Sequence, residues 1–140
     1  MKRILVDTGH WVGAFYKRDN WRKLGLIFMK WFESQDKKNS LIIVTYGILT
    51  EVIARLISKT NYKIANKVLN FFLESDKIII YNDAYKYGDE IFEMFRKYKD
   101  FTLVDAEIVV RYFNLHCDYL ISTADEFNRC PGLNCLKMPV

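Results

Sequence analysis

Five short runs rich in β-branched residues, at 3–6, 41–45, 77–81, 119–123 and 134–138, alternate along this chain with longer stretches of helical periodicity. Strands separated by helix-length segments cannot pair as hairpins, so the alternation predicts parallel strands joined by helical crossovers. Between the first two runs, Trp21, Leu24, Ile27, Phe28, Trp31 and Phe32 recur at helical spacing, and polar residues 34–40 form the return loop. After Tyr46, Ile48, Leu49, Val52, Ile53, Leu56 and Ile57 trace one helix, and Ile64, Val68, Leu69, Phe71 and Phe72 a second. Residues 84–98 and 103–115 supply two more before the fourth run. The predicted order is β-α-β-α-α-β-α-α-β, with a further short strand at 134–138.

No repeat, low-complexity segment or Pro/Gly/Ser linker interrupts this pattern, and both prolines, Pro131 and Pro139, fall in the last ten residues. A chain of 140 residues that is 51% hydrophobic is enough for one well-filled core, so residues 1–140 are read as one domain. The longest apolar runs fall far short of the roughly 20 residues that cross a bilayer, so no membrane segment is expected. The apolar run after Met1-Lys2-Arg3 stops at Asp7, too early for a secretory signal, and a cytoplasmic location is the expectation. Cys117, Cys130 and Cys135 contain no C-x-x-C pair and are expected to be reduced thiols, although Cys130 and Cys135 are near enough in sequence to bridge.

Four carboxylates stand where segments distant in the chain converge in such a fold: Asp7, Glu51, Asp105 and Asp125. Asp7 ends the first strand and Asp125 closely follows the fourth, at the carboxyl edge where open α/β sheets bind ligands. Glu51 lies in the first helix after a buried strand, opposite its apolar stripe. Arg55 is one turn on, in position for a surface i,i+4 pair or for contact with a phosphate. Asp105 shares a helical face with apolar Phe101, Ile108 and Val109, so its carboxylate needs a partner. Thr102-Leu103-Val104-Asp105 supplies one by matching a capping box. Thr8 and Thr123 offer hydroxyls beside Asp7 and Asp125, and the position of Thr123 favours Asp125 over Glu126 as the inward acid.

Each acid also has a structural explanation, as cap, turn or solvated charge. Together they form a cluster too acidic to persist without a divalent cation, which points to metal-assisted phosphodiester chemistry. With the four gathered in one site, 13 of the 17 acidic residues remain against 21 Lys and Arg, a balance suited to a polyanionic partner. His10 and His116 are too few for a zinc triad, and no phosphate-binding glycine loop or nucleophile elbow is present. Trp11 and Tyr46, at strand–helix junctions, are suited to base stacking or to the core.

The segments Ile4-Leu5-Val6-Asp7-Thr8, Thr50-Glu51-Val52, Thr102-Leu103-Val104-Asp105-Ala106 and Tyr119-Leu120-Ile121-Ser122-Thr123-Ala124-Asp125 together resemble the PIN-domain family, particularly the small VapC-type toxin ribonucleases. The resemblance spans essentially the whole chain, with the acids in the family's order. It implies a three-layer α/β/α sandwich with a mainly parallel sheet, and a Mg²⁺- or Mn²⁺-dependent endoribonuclease with the four acids as metal ligands. It also implies RNA as substrate, a small antitoxin as partner, and a homodimer. One departure is visible: Phe127 follows Asp125 by two residues where the family usually spaces that aromatic by three, which leaves the fourth acid open between Asp125 and Glu126. An RNA-processing nuclease outside a toxin system and a catalytically weak RNA-binding module are the rival readings.

Overall fold

The computed structural model describes residues 1–139. Five parallel strands, β1 (Lys2–Val6), β2 (Ser40–Thr45), β3 (Ile78–Tyr81), β4 (Tyr119–Ile121) and β5 (Cys135–Leu136), form one sheet in the order β3-β2-β1-β4-β5. Leu5 is in register with Ile43 on one side and Leu120 on the other. Ile4, Leu5 and Val6 are completely buried, as are Ile42, Ile43 and Val44. Both faces of these strands are covered, which is why their sequences run apolar without alternation.

Six helices flank the sheet: α1 (Thr8–Phe15), α2 (Arg22–Ser34), α3 (Tyr46–Lys59), α4 (Tyr62–Glu74), α5 (Gly88–Lys97) and α6 (Leu103–Asn114). Single turns of 3-10 helix cover Ala84–Tyr87 and Asp125–Arg129. α1 packs on α2 and α3, α3 on α4, and α5 on α6. The starts of four helices are fixed by side chains that accept a backbone N–H of the first turn: Asp7 from Thr8, Thr45 from Ile48, Asn61 from Ile64 and Thr102 from Asp105. Among the described residues, no helix is long and apolar enough to cross a membrane, and the three cysteines are free thiols.

The strand and helix pattern read from the sequence corresponds to this architecture, with two differences. α1 has no counterpart in that reading, because Gly9 and Gly13 dilute its apolar signal within only eight residues. The segment 84–98 divides into the 3-10 turn and α5 at Gly88.

Trp11 anchors α1. Its indole is fully buried edge-on against Phe28 and Phe72, each centroid 4.8 Å away, and its Nε1–H donates to the Val6 carbonyl at 3.2 Å. A core position therefore satisfies its one polar group at the end of β1 and holds α1 over that strand. The reading of Trp11 as core filler is the one its burial bears out. Beside it, α1 and α2 approach through glycine: a Cβ on Gly25 would lie 2.2 Å from the backbone carbonyl carbon of Gly13.

In an open helix, replacing glycine by alanine stabilises by up to about 1 kcal/mol. Here the new methyl meets backbone that cannot rotate away, and overpacking typically costs about 1–3 kcal/mol or more. Gly25→Ala is therefore expected to lower the midpoint of urea unfolding; an unchanged or raised midpoint would show that α1 and α2 are free to separate.

Candidate active site

The first two crossovers carry the chain from β1 to one side of the sheet, whereas β4 and β5 lie on the other, so β1 is the point where strand order reverses. At such a point the loops leaving adjacent strands diverge and open a crevice at the carboxyl edge. Asp7 stands in it. Its backbone N–H donates to the Ile121 carbonyl at 2.9 Å. Its Oδ1 accepts the Thr8 N–H at 2.7 Å, capping α1, and its Oδ2 accepts the Ser122 hydroxyl at 2.7 Å. Ser122 Oγ in turn accepts the Ala124 N–H at 3.0 Å. Ser122 thus orients the first acid and starts the turn that follows β4, a role the sequence reading did not give it.

The other walls come from three separate segments. Thr8, almost fully buried, donates its hydroxyl towards Glu51 Oε1 at 3.4 Å. Glu51 also faces Arg55 across 3.8 Å, so the helical pair and the site position coexist. Asp105 forms the predicted capping box with Thr102, its Oδ2 accepting the Thr102 N–H at 2.9 Å while its own N–H donates to Thr102 Oγ1 at 3.1 Å. Asp7, Thr8, Glu51, Arg55, Asp105 and Thr123 all line one polar cavity of about 300 Å³, together with Gly9, Trp21, Thr102, Ala124 and Glu126.

Asp125 is not among those lining residues. Its side chain is 79% exposed and pairs with Lys137 at 3.6 Å. Glu126 lines the cavity in its place. The reason is geometric: successive residues of a 3-10 helix are rotated by a third of a turn. With Phe127 completely buried against Phe101, Glu126 turns to the cavity and Asp125 to solvent. The Thr123 hydroxyl, which favoured Asp125 in the sequence, lines the cavity without bringing Asp125 with it. Tyr46 is exposed and outside the lining, and Trp21 is the aromatic residue at the rim.

The carboxylates oppose one another's ionisation. Burial pushes the Asp7 carboxyl up from its ordinary value and Glu126 adds to this, against the Ser122 hydroxyl, the Thr8 N–H and the Arg55 guanidinium. Burial likewise raises Glu51, with Asp7 and Asp105 reinforcing the effect and Arg55 opposing it. Asp105 is raised chiefly by burial and then by Asp7, against its bonds to Thr102. Among the described residues, no three His, Cys, Asp or Glu side chains are drawn in closely enough to form a ready-made metal cage. The donor set is nonetheless all hard oxygen around a polar cavity, which suits Mg²⁺ or Mn²⁺: Mg²⁺ keeps much of its water and takes only one or two carboxylates directly.

A carboxyl whose folded-state pKa is raised withholds stability as pH rises. The unfolded chain ionises first, from about pH 4.3 for glutamate, and the deficit is complete once the folded group has ionised too. Glu51→Gln is therefore expected to raise the melting temperature at pH 7 in metal-free buffer, with the gain fading towards pH 4. A variant less stable than the unmodified protein at pH 7 would contradict this electrostatic account.

Neither a family model nor a curated protein matches the sequence. Solved structures do match. VapC20 of Mycobacterium tuberculosis, described as a sarcin-ricin loop cleaving toxin, superposes with a TM-score of 0.77 at 13% identity, covering 91% of this chain and 95% of its own. VapBC2 of Rickettsia felis, solved bound to a DNA fragment from its promoter, gives 0.62 at 18% identity, covering 96% and 97%. VapBC-1 of nontypeable Haemophilus influenzae gives 0.64 at 17% identity, covering 96% of each chain. With its all-parallel sheet, flanking helices and acidic switch point, the protein has the PIN-domain fold of the VapC toxins.

Proposed function

We propose that the protein is a metal-dependent endoribonuclease that hydrolyses RNA phosphodiester bonds, acting in the cytoplasm as the toxin of a toxin–antitoxin pair. The observation that carries this reading is the meeting of Asp7, Glu51, Asp105 and Glu126 in one polar cavity beside Arg55, on a fold shared with an RNA-cleaving toxin. Asp7 and Asp105 would hold Mg²⁺ or Mn²⁺, with Glu51 and Glu126 completing the acidic ring. When bound, the ion supplies Lewis-acid polarisation of the phosphate and lowers the pKa of a coordinated water.

The chain's own residues divide the remaining work. Ser122 and the Thr8 N–H fix both oxygens of Asp7, so the carboxylate meets its ligand without reorganising. Thr8 orients Glu51. Arg55, whose side chain is 54% exposed, can leave Glu51 and meet a phosphate oxygen at the cavity mouth, where it also offsets the acids' repulsion of an anionic substrate. Exposed apolar side chains, among them Leu26, Ile57, Tyr62, Leu73, Phe92 and Phe95, offer surface for a small antitoxin and for a second copy of the chain.

Structured RNA incubated with purified protein in Mg²⁺ or Mn²⁺ is expected to be cut, and EDTA to abolish cutting. Asp105→Asn is expected to reduce the rate by at least roughly 100-fold while circular dichroism stays unchanged. Failure of the unmodified protein to cleave under any of these metals would favour the RNA-binding module instead. The fourth acid is decided separately: Glu126→Gln should impair cleavage strongly and Asp125→Ala only slightly. The reverse order would restore Asp125 to the site.

A further inference from the structure

Trp21 is the one tryptophan that the fold does not use as core. Trp11 is fully buried, and Trp31 packs against Phe28 with ring centroids 5.9 Å apart. Trp21 is 42% exposed, stands against no other ring among the described residues, and lines the acidic cavity. Its Cδ1 would be 3.9 Å from a Cβ on Gly9, which has none, so the indole lines the cavity directly next to the helix that Asp7 caps. An indole left half in water forfeits much of its hydrophobic stabilisation. A flat π-face kept open beside a phosphodiester site is suited to a nucleobase.

The segment carrying it is rigid and basic. Arg22 donates to the carbonyls of Gly13 at 3.2 Å and Ala14 at 2.8 Å, tying the start of α2 to the end of α1. The Trp21 N–H donates to Asp19 Oδ2 at 2.9 Å, and its carbonyl accepts the Gly25 N–H at 2.8 Å. The close Gly13–Gly25 approach clamps the two helices on either side of it. Lys17, Arg18 and Lys23 are exposed around this clamp, and none forms an ion pair among the described residues. Cations interleaved with an exposed aromatic make a surface for single-stranded nucleic acid.

We infer that Trp21 is the stacking platform for an RNA nucleobase next to the scissile phosphate, held in place by the α1–α2 glycine clamp, with Lys17, Arg18 and Lys23 receiving the adjoining backbone phosphates. This rests on the nuclease reading and assigns the site a base-binding position. Because every base presents a π-face, the contact contributes affinity without demanding one base, and target choice falls to other contacts or to RNA shape.

The test is binding of a fluorescein-labelled single-stranded RNA oligonucleotide in EDTA, followed by anisotropy, alongside cleavage of the same RNA in Mg²⁺. Trp21→Ala, at a half-exposed side chain, is expected to weaken binding roughly 5- to 100-fold and to raise KM correspondingly with kcat nearly unchanged. Trp21→Phe should retain most of the affinity. The dependence of binding on salt should keep its slope in Trp21→Ala, because stacking releases no counterions, and should fall in Lys17→Ala/Lys23→Ala. Equal RNA affinity in Trp21→Ala and the unmodified protein, or no RNA binding by the unmodified protein, overturns the inference. RNA binding without cleavage by the unmodified protein removes the nuclease reading alone, and the stacking role then stands or falls on the binding ratio.

Discussion

A carboxylate half-buried at a sheet edge must be reached by donors, and the requirement of Asp7 organises the whole carboxyl side of this sheet. One oxygen takes the Thr8 N–H, which starts α1; the other takes the Ser122 hydroxyl, which ties the end of β4 to the end of β1. From Thr8 the chain of contacts reaches Glu51 on α3, and from Ser122 it passes through Ala124 to the 3-10 turn that presents Glu126. Asp105 alone is positioned independently, by its own capping box. The acidic walls are thus consequences of hydrogen bonds that the fold needs in any case.

Those walls sit together against their own repulsion. Burial and neighbouring carboxylates act on Asp7, Glu51 and Asp105 in the same direction, and the Arg55 guanidinium opposes them at Asp7 and Glu51. A fold that keeps such a conflict trades local stability for a site ready to accept positive charge. The same economy operates between α1 and α2, where two glycines forgo side-chain packing so that the helices touch and the loop between them stays fixed at the cavity rim.

Much of this was legible from residue order. β-branched runs located the strands because strands buried on both faces carry their signal in every residue, and Thr102 with Asp105 disclosed a helix start by chemistry alone. The cavity residues Asp7, Glu51 and Asp105 were marked by their positions after strands or at a helix start. The choice between Asp125 and Glu126 was not legible, since it depends on the rotation of a 3-10 turn anchored by Phe127. Trp21 was hidden for a different reason: it continues the apolar phase of α2 by sequence, whereas burial selects Gly25, Phe28 and Phe32. Ser122 looked like an ordinary strand-end residue because its partner lies 115 positions away.

That separation bears on when the acidic cavity takes shape. A chain emerging from its amino end presents Asp7 first, yet the hydroxyl that orients this carboxylate and the strand that flanks β1 on that side arrive only with residues 119–122. Pairing over such sequence distance is slow to close, because loop entropy is lost before the contacts form. The acidic cavity is accordingly among the last features to assemble during synthesis, and a partly made chain carries its acids without the architecture that gathers them.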